Sequence, residues 1–229
     1  MLQLDNVSTL LAGIQVLRGI NAQLQPGTVV AVVGRNGAGK TTLLRLIMGF
    51  LPRHTGRVLL GGQDLRQVPA RDRARLGIGY APEDRVMFPS FSIEENLRFP
   101  CEVIGMPRRA VNQRLAETMD IVPELKPMLA RSGAALSGGQ GKMAALGRAV
   151  MAGEQLVLLD EPFQGLAPVL AQQYSASLQR LLRVRPALCV VITESNRSLL
   201  KNIPNDTLVL ERGELRQAEL QPGPASAPA

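Results

Sequence analysis

"TVVAVVGRNGAGKTTLLRLIMGF", residues 28 to 50, changes character twice. Its opening, "TVVAVVG" (28–34), is a continuous β-branched run of the kind that forms a strand buried on both faces. A glycine-rich "GRNGAGK" interrupts it. "TTLLRLIMGF" follows, with Leu43, Leu44, Ile47 and Met48 at helical spacing. Gly34, Arg35, Asn36, Gly37, Ala38, Gly39, Lys40 and Thr41 fill the pattern G-x-x-x-x-G-K-[ST] in this strand-to-helix context. Glycines let backbone N–H groups converge on a concavity, and the helix N-terminus adds positive potential where a phosphate would sit. Lys40 is placed to reach the β- and γ-phosphates of a nucleotide. Thr41 is placed to bind Mg²⁺ through its hydroxyl, with Thr42 beside it in the first helical turn.

Working outward, two further apolar runs end in acids: "QLVLLDE" at Asp160 and Glu161, and "ALCVVITE" at Glu194. Each is followed by a helical segment, so the three runs predict a parallel sheet covered on both sides, with its polar strand ends converging on one crevice. Asp160 is the natural second metal partner, and Glu161 can orient an attacking water; away from a phosphate loop, such a pair would read as the cap of a turn. Ser195 follows Glu194 and belongs at the same edge, where it acts either on a bound phosphate or as the cap of a helix beginning at Asn196. The only histidine, His54, lies in the turn "LPRHTGR" and is expected to be exposed.

The segment before residue 28 alternates. Leu2, Leu4 and Val7, then Ile14, Val16, Ile20 and Leu24, predict short half-buried antiparallel strands. Residues 86–150 differ in character, with helical candidates near 93–105, 108–120 and 138–152 punctuated by prolines. The expected organisation is one domain over 1–219, with a core of 1–85 and 151–219, a helical subdomain of 86–150, and a flexible tail at 220–229. "LSGGQ", Leu136 to Gln140, opens the last helix: Ser137 can cap it, while Gly138 and Gly139 permit a close backbone approach to an anion.

Composition narrows the class. The chain of 229 residues is 45% hydrophobic and 20% charged, as in an ordinary globular protein. No apolar stretch approaches the roughly 18 residues of a membrane span, and the first residues lack a signal-peptide pattern, so a cytosolic chain is expected. Cys101 and Cys189 fit no metal spacing and read as reduced structural thiols. Lys and Arg number 26 against 19 Asp and Glu, a net charge of +7. This is compatible with nucleic acid, with an anionic surface, or with solvated faces such as "RDRAR" (71–75). Two Tyr, five Phe and no Trp leave little to stack on single-stranded bases.

Taken in order, "IQVLRGINAQLQPG", "GIGYAPEDRVMFPSFSIEENL", "LSGGQGKMAALGRAVMAG" and "LLDEPFQGLAPVL" resemble the ATP-binding cassette (ABC) ATPases over residues 2 to 217. Within them, "APEDR" and "GLAP" are similar to the ATPase subunits of bacterial branched-chain amino acid importers. The resemblance implies an α/β fold: a P-loop NTPase core with a parallel sheet, an N-terminal antiparallel β subdomain and an inserted helical subdomain. It implies hydrolysis of ATP with Mg²⁺, on the inner face of the cell membrane, for an importer of branched-chain or related amino acids.

The partners implied are transmembrane permease subunits, a substrate-binding protein indirectly, and a second cassette in a head-to-tail pair, expected to be a hetero-dimer. Ser137, Gly138, Gly139 and Gln140 would then complete the partner's site. Glu83 stands where the family usually has a glutamine near the metal, and "VMFPSF" falls in the groove for a permease helix, although Phe88 and Phe91 fit a core equally well. Leu11 occupies the place of an adenine-stacking aromatic, which forgoes about 0.5–1.5 kcal/mol. Ser195 replaces the usual histidine. Both departures also fit a low-activity, nucleotide-gated partner. The remaining rival is a soluble cassette acting on nucleic acid. No specific nucleic acid is expected, because the chain has neither coiled-coil insertions nor a second cassette.

Overall fold

The computed structural model describes residues 1–51, 53–84, 87–200 and 203–217. The tail expected at 220–229, and Arg85 and Val86 at the expected subdomain boundary, lie outside them. Two sheets organise the chain. Strands β1 (Leu2–Leu11), β2 (Ile14–Leu24), β4 (Thr55–Leu60) and β5 (Gln63–Asp64) form an antiparallel sheet in the order β2-β1-β4-β5. Strands β3 (Val29–Val33), β6 (Ile78–Ala81), β7 (Leu156–Asp160), β8 (Cys189–Glu194), β9 (Asp206–Glu211) and β10 (Glu214–Gln217) form the second, ordered β10-β9-β3-β8-β7-β6. Its neighbours pair in parallel from β9 to β6, and β10 alone is antiparallel.

The continuous apolar runs are explained by what covers them. Val29, Ala31, Val157, Leu159, Val190 and Ile192 face one apolar cluster, while Val30, Val32, Leu156, Leu158 and Val191 face another. The first cluster continues into helices α2 (Ile93–Val103), α3 (Arg108–Ile121), α4 (Gly138–Ala152) and α5 (Pro168–Val184). The second joins α1 (Lys40–Ile47) to the antiparallel sheet. A strand between two cores has no polar face to write into the sequence. Among the described residues, no helix is long and apolar enough to cross a membrane.

Three expectations need correction. Ile14 is 69% exposed and Val16 only half-buried, and the core residue is Leu17. Thr9 pairs with Leu17 and Val7 with Ile20, so β2 carries an extra residue at this point, and the bulge shifts the alternation by one. "RDRAR" is not simply a solvated face. Within the 3₁₀ segment Ala70–Leu76, Arg73 is buried and donates to the carbonyls of Leu65, Val68, Leu46 and Ile47, the last two in the final turn of α1. A guanidinium there satisfies helix-end carbonyls and opposes the helix dipole. Lastly, His54 is half-buried. Its Nδ1 lies 3.3 Å from the Leu51 carbonyl, its Nε2 is buried without a partner, and burial lowers its pKa.

Both cysteines are buried and free.

Candidate active site

The phosphate loop runs from the end of β3 into α1. Gly39 sits at φ 108 as the N-cap of α1, and no side chain caps that helix. Helices α2 and α4 differ: Ser92 with Glu95, and Ser137 with Gln140, form reciprocal capping boxes. The first turn of α1 therefore keeps its N–H groups for a ligand. A pocket of about 350 Å³ opens over it, lined by Asn36, Gly37, Gly39, Lys40, Thr41 and Thr42, with Val16, Glu83, Glu161 and Gln164 closing the sides. Gly34 and Ala38 shape the loop from behind, the Ala38 N–H donating to the Arg35 carbonyl at 3.1 Å.

Parallel pairing of β3, β8 and β7 brings their ends together here. The Lys40 Nζ donates to the carbonyls of Gly34 (2.7 Å) and Arg35 (3.2 Å) and lies 3.0 Å from Glu161 Oε1, with both side chains buried. Ser195 is exposed at the rim and donates through Oγ to Glu161 Oε2 at 3.1 Å. It caps no helix; Asn196 caps the short 3₁₀ segment Arg197–Leu199. Asp160 accepts from Thr41 (3.1 Å), Thr193 (2.8 Å) and Tyr80 (3.3 Å). Burial pushes the Asp160 carboxyl up, and these three hydroxyls oppose the shift. Glu83, at the mouth, is pushed up by partial desolvation and then by the Glu161 and Asp160 carboxylates.

This donor set fits magnesium. Among the described residues no cluster of three or more His, Cys, Asp or Glu could hold a metal unaided. One hydroxyl bonded to one carboxylate beside a phosphate cradle suits a small hard cation that keeps water and phosphate oxygens as its other ligands.

The residues of "LSGGQ" do not reach this pocket. Ser137 and Gly138 are exposed, and Gly138 borders a neighbouring cavity shared with Glu83, Lys142 and Gln164. Gln140 lines an apolar cavity beside Met128, Met143 and Leu170. A Cβ at Gly139 would lie 2.2 Å from Leu170 Cδ1, so a side chain there would displace the tip of Leu170. Leu11, 36% exposed at the end of β1, stands away from the phosphate pocket, while Val16 of β2 lines it. Phe88 is exposed against a cavity of about 670 Å³ that also touches Phe99, Pro100 and Val103, and Phe91 packs behind it with ring centroids 5.2 Å apart. Thr193, Tyr80, Lys142 and Gln164 join the site without a motif to announce them. A polar strand end was the only signal for Thr193, and it points equally to any crevice.

A phosphate cradle with a buried lysine, a hydroxyl–carboxylate pair of a kind that suits a metal and a second carboxylate describes a nucleotide-hydrolysing cassette. The comparisons agree: residues 17–164 match the family model described as ABC transporter, and the chain belongs to that family as an ATP-binding ATPase. It is 32% identical to the high-affinity branched-chain amino acid transport ATP-binding protein BraG of Pseudomonas aeruginosa, over 94% of this chain and 91% of that protein. A probable branched-chain amino acid transport ATP-binding protein, LivF of Archaeoglobus fulgidus, is 30% identical over 88% of this chain and 84% of its own length. The sulfate/thiosulfate import ATP-binding protein CysA of Thermosynechococcus vestitus is 31% identical over 97% of this chain and 66% of its own length. The dimeric structure of a bacterial ABC transporter cassette matches in fold, with a TM-score of 0.82 at 22% identity over 97% of this chain and 100% of that one.

Proposed function

We propose that this ATPase is the energy-coupling subunit of an importer for branched-chain or related amino acids, bound at the inner face of the membrane. The observation that carries the catalytic half of the reading is the buried Lys40–Glu161 pair, with Ser195 on its other carboxylate oxygen and Thr41–Asp160 beside it. Lys40 and the uncapped end of α1 bind the phosphates and stabilise charge developing on them. Glu161 orients and deprotonates the water that attacks the terminal phosphorus, giving ADP and phosphate. Ser195 steadies that carboxylate as a neutral donor. When bound, a magnesium ion held by Thr41 and Asp160, with Glu83 at the rim, neutralises phosphate charge.

Similarity to the BraG and LivF proteins over most of the chain supports amino acids as the cargo, and similarity to CysA as well supports the import role. The cavity beside Phe88, Phe99 and Val103 suits an apolar helix from a permease subunit. The exposed Ser137 and Gly138 suit a second cassette arranged head to tail, and a substrate-binding protein outside the membrane would select the solute. Co-expression with candidate permease subunits tests this reading: they should co-purify with the chain and raise its MgATP turnover. Stimulation by double-stranded DNA or RNA, persisting at high salt, would overturn it.

A further inference from the structure

Among the described residues, Glu161 is one of four non-glycine residues at positive φ, at 44°, and the one of them that lies in the active site. A left-handed backbone at such a residue persists only where the surroundings over-determine it. Here the surroundings are the last two residues of β8. The Glu161 N–H donates both to the Thr193 carbonyl and to Thr193 Oγ1, each at 3.1 Å, and Thr193 Oγ1 also bonds Asp160. Two residues past Glu161, the Phe163 N–H donates to Glu194 Oε1 at 2.8 Å, and Lys142 Nζ donates to the Glu161 carbonyl at 2.5 Å. The Glu194 carbonyl accepts from the N–H of Gly34, the first residue of the phosphate loop, at 3.2 Å. Glu194 thus touches both the loop that holds phosphate and the turn that carries the catalytic carboxylate.

We propose that Glu194 is a positioning residue: assisted by Thr193, it fixes the turn Glu161–Phe163 against the phosphate loop so that the Glu161 carboxylate meets the attacking water. The role rests on the reading of Glu161 as the base and deepens it. What the turn needs from Glu194 is an acceptor for the Phe163 N–H, not a charge. The side chain is fully buried, its second oxygen Oε2 has no partner, and burial lifts its pKa to about 7. The groups around it are Glu161, Lys142, Lys40 and the buried phenol of Tyr174, whose ring packs edge-on against Phe163. None of them supplies the Phe163 N–H with another acceptor.

Steady-state MgATP hydrolysis by full-length variants, with thermal melting of the same preparations, tests the role. Glu194→Leu should lower kcat by about 10²-fold, the scale of a reacting group misplaced by an ångström, and leave the KM for ATP within about twofold. Glu194→Gln keeps an amide oxygen for Phe163 and should recover most of the lost rate. Thr193→Val, which preserves shape, should lower kcat in the same KM-independent way. A folded Glu194→Leu protein with wild-type kcat, or Gln and Leu variants equally impaired, would overturn the proposal. If Glu194→Leu does not fold, an undiminished kcat in Thr193→Val would do so. Glu161→Gln run alongside separates the two failures: if it hydrolyses ATP normally, the base assignment is at fault and not the positioning.

Discussion

Ser195 stands at the rim of the pocket with its hydroxyl on Glu161 Oε2, and Lys40 holds the other oxygen. The serine cannot act as a base, since an unactivated hydroxyl has no useful pKa near neutrality. Its contribution is one hydrogen bond to a carboxylate that must keep its aim. Ser195→Ala should therefore slow MgATP turnover by about the 0.5–1.5 kcal/mol of a single hydrogen bond, roughly two- to tenfold, without lowering the melting temperature. A helix-capping serine would behave oppositely, losing stability while keeping turnover per folded molecule. That the strand ends in functional groups was legible in "CVVITESNRSLL". The partner of each group was not, because Glu194 and Thr193 are read largely through backbone N–H groups, which every residue of a sequence carries alike.

At the scale of elements, β3, β7 and β8 were legible because burial on both faces writes an unbroken apolar run. The phase of β2 was not, because a bulge between Leu17 and Ile20 breaks the alternation on which the reading depends. Basic charge was open to several readings for a related reason. Arg73 caps the end of α1, while Arg114 and Arg185 donate to the carbonyls of Met151, Val150 and Gly153 at the end of α4. These guanidinium groups serve helix ends that lie far away in sequence, so part of the excess charge is structural and needs no polyanionic partner. Arg73→Met should leave buried carbonyls unpaired at about 1–3 kcal/mol for each one that finds no water. Denaturant unfolding should show the loss. A variant as stable as the wild type would mean that solvent reaches the end of α1.

For the whole molecule, one buried acid ties folding to pH. Burial lifts the Glu194 carboxyl from 4.5 to about 7, so between those values the folded chain holds a proton that the unfolded chain has released. Stability should fall as pH rises through that window, by about 3 kcal/mol from this residue, and level off above pH 7. Glu194→Gln should reduce the slope in melts from pH 4.5 to 7.5, leaving the contributions of Asp160 and Glu83, which are shifted the same way, and of His54, whose lowered pKa acts with the opposite sign. An unchanged slope would show that the carboxyl ionises in the folded chain as it does in the unfolded one. The fold brings three strand ends to one loop, where Glu161 faces the phosphate pocket. The most direct measurement is single-turnover hydrolysis of MgATP by wild type and Glu161→Gln at saturating protein, with ATP binding measured on the same samples. Binding should persist while the hydrolytic rate falls by about 10²–10⁴-fold, the weight of general-base catalysis; equal rates in the two proteins would contradict the account.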